Sequence, residues 1–169
     1  MRDVSYSTNA GNNDASSDER IPATNASFVR LHLQAGLWSL LLFLSFGVFL
    51  ESLHGFKLGW YLDVGQETRR LMWTLAHAHG TLISLIHVAF SFAISVSPGW
   101  NSGSTQIASR CLLAAGILIP MGFFLGGLFF EEGTGDPGLG ILLVPAGAAL
   151  LFVAVLLTAL KTKAAQTVA

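Results

Sequence analysis

Polar and apolar residues fall into separate blocks along this chain. Residues 1–29 are dominated by Ser, Asn, Asp and Gly, and four apolar runs follow at 33–50, 71–96, 111–130 and 139–160. These runs hold 18, 26, 20 and 22 residues, and a helix needs about 20 to cross a hydrocarbon layer ~30 Å thick. A soluble helix bundle would need a wet stripe on every helix. The third run has none, and the fourth has only Thr158 near its end. The expected fold is therefore an all-α membrane protein: a four-transmembrane-helix bundle with a disordered N-terminal tail. The tail covers 1–29, the transmembrane domain 30–163 with spans at about 33–54, 71–96, 110–130 and 139–160, and a short C-terminal tail 164–169.

The segments between runs set the topology. A leader peptide would place a basic stretch directly before an early apolar core, whereas the first apolar run starts at Leu33, so the first span is expected to act as its own insertion signal. Loop one, about 55–69, contains Trp60 and Tyr61, residues that favour the headgroup level, and is expected to lie along the interface. Loop two, about 97–109, and loop three, 131–138, are rich in Gly, Pro and small polar residues and predict turns. With an even number of spans, both termini and loop two share one side. Arg30, Arg110, Lys161 and Lys163 lie near the spans on that side, against Lys57, Arg69 and Arg70 on the other. This count favours cytoplasmic termini and a cell (inner) membrane location.

Composition agrees and removes whole classes of function. The chain is 52% hydrophobic and 11% charged, with nine Lys+Arg against ten Asp+Glu. No basic field is present to hold nucleic acid. The single cysteine, Cys111, sits in an apolar run and can form neither an intrachain disulfide nor a thiolate cage. No nucleophile–base set, phosphate-binding glycine loop or zinc-protease motif occurs, so a hydrolase has no support and the chain is not expected to be an enzyme on its own. The expected partners are the lipid bilayer and either a larger membrane complex or further copies of the chain.

Small residues predict close helix packing. Ala76, Gly80 and Ser84 recur every four residues in the second span, and Gly122 and Gly126 do so in the third. Pro120 and Pro145 each lack a backbone donor and predict bends in the third and fourth spans.

The second span also carries His77, His79 and His87, an unusual density of ionisable groups for a membrane segment. At 100° per residue His77 and His79 lie about 200° apart, so they cannot grip one ion as a pair, and His87 lies about 12 Å further along the axis than His79. At the end of the first span, Glu51 and His54 share a helix face. Glu-x-x-His is one unit of the dinuclear carboxylate sites of helix bundles, but no other Asp or Glu falls within the four spans. A different grouping is expected from topology: Glu51, His54, one of His77 and His79, and Glu131 or Glu132 all fall toward the loop-one face. Imidazoles from two helices with a carboxylate suit haem iron, copper, zinc or non-haem iron. The expected ligands are His79, His77 and His54 with Glu51, and His87, Glu131 and Glu132 are expected as relay or supporting groups. His32, beside Arg30 at the opposite edge, is expected to meet headgroups.

The segment Ala78-His79-Gly80-Thr81-Leu82-Ile83 resembles the start of the second helix of haem-copper oxidase subunit I, where an Ala-His-Gly-like turn carries an axial ligand of low-spin haem. The resemblance covers this segment only. It implies His79 as the ligand and favours haem b or copper over zinc, while the four spans and the absence of the oxidase's dense histidine set exclude an oxidase by itself. Three functions follow: a haem- or transition-metal-binding membrane protein for electron transfer or metal handling, a non-catalytic subunit whose histidines only pack, and a small proton or ion transporter using the membrane histidines.

Overall fold

The computed structural model describes residues 23–96 and 102–167. These residues form four long helices: α1 (Ala23–Gly55), α3 (Glu67–Val96), α4 (Ser102–Leu128) and α5 (Leu143–Thr167), with a short α2 (Gly59–Leu62) in loop one. All four long helices are long and apolar enough to cross a membrane. No strand occurs among the described residues, as a lipid environment requires of segments that must satisfy their own backbone groups.

Four helix ends lie beyond the expected boundaries, each because polar residues are helical, and one of them is the start of α3 at Glu67 instead of 71. α1 begins seven residues before position 30, which puts Asn25 on the helix with its side chain buried. α4 begins at Ser102 instead of 110, so Thr105 and Ser109 are buried helix residues and not loop. α5 continues to Thr167, past the expected end of the span at about 160. Residues 1–22, the rest of the expected tail, lie outside the described residues.

The helices pack as a row. α1 packs on α3, α3 on α4 and α4 on α5, and consecutive helices run antiparallel, so the start of α1 and the end of α5 share one end of the array. Among the described residues α1 and α5 do not touch. This open order makes α3 and α4 the central pair, and both hold more of the core than the outer helices do.

The small residues work as spacers. Ala76, Gly80 and Ser84 are all buried on α3, and a Cβ at Gly80 would overlap the Phe43 ring of α1. A Cβ at Gly122 would lie 2.8 Å from Val144 Cγ2, so this glycine brings α4 and α5 together. Pro120 lies inside α4 as expected. Pro145 does not bend a span, because the fourth segment starts with a 3-10 turn (Leu139–Leu142) and Pro145 falls in the first turn of α5. There its missing N–H would have had no helical partner in any case.

The loop-one end is closed by aromatic rings and arginines. Phe46, Trp73 and Phe124 meet across α1, α3 and α4, with Trp73 stacked on Phe124 at 5.7 Å and on Tyr61 at 6.3 Å. Arg70 donates to the carbonyls of Tyr61 (2.9 Å) and Asp63 (2.8 Å), pinning α2 to α3. Arg69 lies over the Phe130 ring at 4.9 Å and donates to Gly127 O at 3.4 Å. Two of the cations counted on this side are thus also structural ties. Thr68 donates to Gly135 O at 2.7 Å, fastening loop three, where Gly135 takes a left-handed φ of 73°.

Candidate functional site

Each of the three histidines expected as ligands has one ring nitrogen engaged by a backbone carbonyl. His77 Nδ1 donates across the helix interface to Phe43 O (2.8 Å), and its ring fills the space left by Gly47. His79 Nδ1 donates to Leu75 O (2.9 Å) in its own helix, and its ring packs 4.8 Å from Phe123 of α4. His77 and His79 therefore face different neighbours, as their angular separation requires. His54 Nδ1 donates to Leu50 O (3.1 Å), with the ring edge-on to Tyr61.

The expected gathering at the loop-one face does not form a ligand set. Glu51, Glu131 and Glu132 are exposed, and Glu131 accepts a hydrogen bond from Thr134 within loop three. Among the described residues, no three His, Cys, Asp or Glu side chains are grouped so as to hold a metal ion. A carbonyl only accepts, so each of these three histidines carries a proton on Nδ1, and Nε2 is the nitrogen left for another partner.

The concentrated polar chemistry lies at the other end. His32 does not meet headgroups: it is fully buried between α1, α3 and α4. Its Nδ1 is 2.7 Å from Nδ1 of His87, and its Nε2 is 2.8 Å from Ser109 Oγ. The two imidazoles lie 21° from parallel, and the edge of Phe90 closes on His32 at 4.7 Å. His87 is only 4% exposed. A buried imidazole costs several kcal/mol unless its nitrogens find partners, and this three-member chain supplies them from three helices.

Further polar groups, most of them buried, lie along the same helices on either side of this chain. Toward the helix ends, Thr105 lies one turn from Ser109, and Ser91 of α3 donates to Val29 O of α1 at 2.9 Å. Asn25 is buried one further step out. Toward the middle of the array, Ser84 of α3 donates to Ser39 of α1 at 2.8 Å. A cavity of about 230 Å³ lies here between the three helices, lined by Ser39, Ser84, His87, Gly80 and Gly116 among others.

The chain permits two proton arrangements. In one, Ser109 donates to His32 Nε2, His32 Nδ1 donates to His87 Nδ1, and His87 Nε2 carries a proton. In the other, His87 Nδ1 donates to His32 Nδ1, His32 Nε2 donates to Ser109 Oγ, and His87 Nε2 presents a lone pair. A proton arriving at His87 Nε2 converts the second into the first and releases the Ser109 hydroxyl proton at the far end.

Sequence reasoning placed His87 in a supporting role and left out His32, Ser109 and Ser84 as chemistry. The signal was present as spacing. Asn25, His32 and Ser39 are seven residues apart on α1, and Ser84, His87 and Ser91 recur at three and four residues on α3. Both intervals keep residues on one helix face.

The fold and this core define the class: an all-α protein with four helices able to span a membrane and a buried hydrogen-bonded histidine pair between three of them. Compared with protein-family models, with curated proteins and with solved structures, the chain matches none.

Proposed function

We propose that this protein is a membrane-embedded proton relay in which His32 and His87 are the proton-carrying groups and Ser109 the terminal hydroxyl. The observation that carries this reading is the unbroken chain Ser109 Oγ, His32, His87, with separations of 2.8 and 2.7 Å. Imidazole suits the role because one nitrogen can accept a proton while the other releases one. Interhelical packing alone would be met by one bond to a backbone carbonyl, as at His77. A serine and two histidines in series add a conducting order that packing does not require. The Lys and Arg count favours a cytoplasmic position for the end where α1 begins, with its buried Asn25 and Ser91.

The test is proton flux through the full chain reconstituted in phosphatidylcholine/phosphatidylglycerol vesicles with a trapped pH-sensitive dye, under a valinomycin-clamped potassium gradient. Flux above protein-free vesicles, lost in His32→Gln and His87→Gln but kept in His79→Gln, is the expected result. Equal rates in all variants would remove the relay.

A second reading retains the cofactor. His54, His77 and His79 each hold Nδ1–H on a carbonyl, the arrangement that fixes the tautomer of a metal-ligating histidine and leaves Nε2 for the metal. On this reading His79 binds haem b, copper or iron, completed by a second copy or a larger complex, and serves electron transfer. An absorption spectrum and metal analysis of the same purified protein decide it. A Soret band lost in His79→Ala supports it, and a protein without haem or stoichiometric metal discards it.

A further inference from the structure

We infer that the cavity beside His87 is a binding site for a small group of water molecules, and that Gly116 and Pro120 together create it. This rests on the relay reading above, for which it supplies the proton donor to His87.

Size admits water, and although Ala35, Ile83, Leu113 and Ile117 make most of the wall apolar, its few polar groups are close together. A cavity of about 230 Å³ is several times the ~30 Å³ that one water occupies in the liquid. Apolar cavities stay dry, whereas a water needs two to four polar partners. This wall carries three polar side chains from two helices: His87, Ser84 and Ser39. The Ser84 hydroxyl lies within reach of both Ser39 Oγ (2.8 Å) and Gly80 O (2.7 Å). With a single proton to donate, it still offers acceptor capacity to a further donor.

Gly116 contributes twice. A Cβ at this position would lie 2.9 Å from His87 Nε2, so only glycine leaves the outer nitrogen of the pair open. Its carbonyl is the α-helical acceptor for residue 120, and Pro120 has no N–H to give. In a membrane such a freed carbonyl must be satisfied by a neighbouring group or an ordered water. Gly116 lines the cavity, and a water held there is the group that would satisfy its freed carbonyl. The alternative occupant is a lipid acyl chain entering between α1 and α4, which pack only slightly against each other.

Water-edited solid-state NMR on ¹⁵N-histidine-labelled protein in phosphatidylcholine bilayers separates the two, with the His87 resonance assigned by its loss in His87→Gln. The expected result is early transfer of magnetisation from water to the His87 ring, comparable to that at exposed His54. In Gly116→Leu that transfer is lost, and in Pro120→Ala it is reduced. Polarisation of His87 from acyl-chain protons instead of water, in the unmodified protein, overturns the inference whatever the variants do. The outcome is separable from that of the relay. A wet His87 in a protein without histidine-dependent flux keeps the water site and removes the relay, while flux through a dry His87 does the reverse.

Discussion

At the end of the array where α1 begins, two histidines lie within an apolar core and hydrogen-bond to each other. At the loop-one end, three histidines lie nearer the surface and each bonds a backbone carbonyl. The first arrangement draws on side chains from α1, α3 and α4, so every partner depends on the tertiary packing. In the second, His54 and His79 use carbonyls four residues earlier in their own helices, bonds available to an isolated helix. His77 is intermediate, because its partner Phe43 O is on a neighbouring helix but is backbone. The difference teaches that a histidine in a membrane helix satisfied by its own turn needs no neighbour, while one satisfied only by other side chains binds the helices to one register. The core that replaces it at the loop-one end is aromatic. Phe46, Trp73 and Phe124 fill the same three-helix interface with rings instead of hydrogen bonds.

The largest expected effect tests the polar end. His87→Ala leaves His32 Nδ1 unpaired and opens a cavity, a combined cost of about 3–5 kcal/mol, read as a lowered unfolding midpoint in bicelles. His79→Ala, which breaks a bond within one helix and a single ring contact to Phe123, is expected to cost less than half as much. Equal costs would erase the distinction between the two ends.

Trp73→Ala comes next and probes the aromatic end. Loss of a ring stacked on both Phe124 and Tyr61 is expected to cost about 3 kcal/mol, with histidine-dependent proton flux per folded protein unchanged. A loss of flux equal to that of His87→Gln would place the aromatic layer within the relay.

His77→Ala and His79→Ala sharpen the comparison inside the loop-one end. Removing the cross-helix bond of His77 is expected to cost about 1 kcal/mol, in line with interhelical hydrogen bonds in bilayers, and His79→Ala no more than that. Steric trapping or detergent titration of both variants reads the order, and a larger loss from His79→Ala would mean that His79 has a partner beyond Leu75 O and the Phe123 ring.

The smallest effect concerns Tyr61, which is fully buried with no hydrogen-bond partner for its hydroxyl. Burial raises its pKa above the ordinary value of 10.0; the Arg70 charge opposes this and the Glu51 charge adds to it. An acid whose folded pKa is raised contributes stability below the unfolded pKa, and that contribution is lost as pH rises through the folded value. Thermal midpoints of the unmodified protein should therefore fall as pH climbs above about 10, and Tyr61→Phe should flatten that part of the decline. Near neutral pH the same substitution is expected to be neutral or stabilising by up to about 1 kcal/mol, since it removes an unpaired buried hydroxyl. A destabilised Tyr61→Phe would show that the hydroxyl has a partner.

Much of the architecture was legible because the bilayer imposes it residue by residue. Run length and polarity are local properties, and they identified four helices and the buried seam of Ala76, Gly80 and Ser84 without knowledge of any contact. Opposite facing of His77 and His79 also followed from helix geometry alone. The helix starts were harder to read: Asn25, Thr105 and Ser109 look like loop residues, yet each is buried on a helix. The same polarity that marks a loop in composition marks a buried hydrogen-bonding stripe once the neighbours are in place.

What the amino-acid sequence determined by itself was therefore the number of spans, their antiparallel succession and the faces on which small residues lie, all consequences of hydropathy and a 3.6-residue turn. Which histidines meet was decided only by the tertiary structure. His32 and His87 are 55 positions apart, and His32 and Ser109 are 77. Their pairing depends on the open order α1, α3, α4, α5 and on the register in which glycines let those helices approach. The sequence carries the hydrogen-bonding capacity of each residue, whereas the partner that satisfies it is a property of packing.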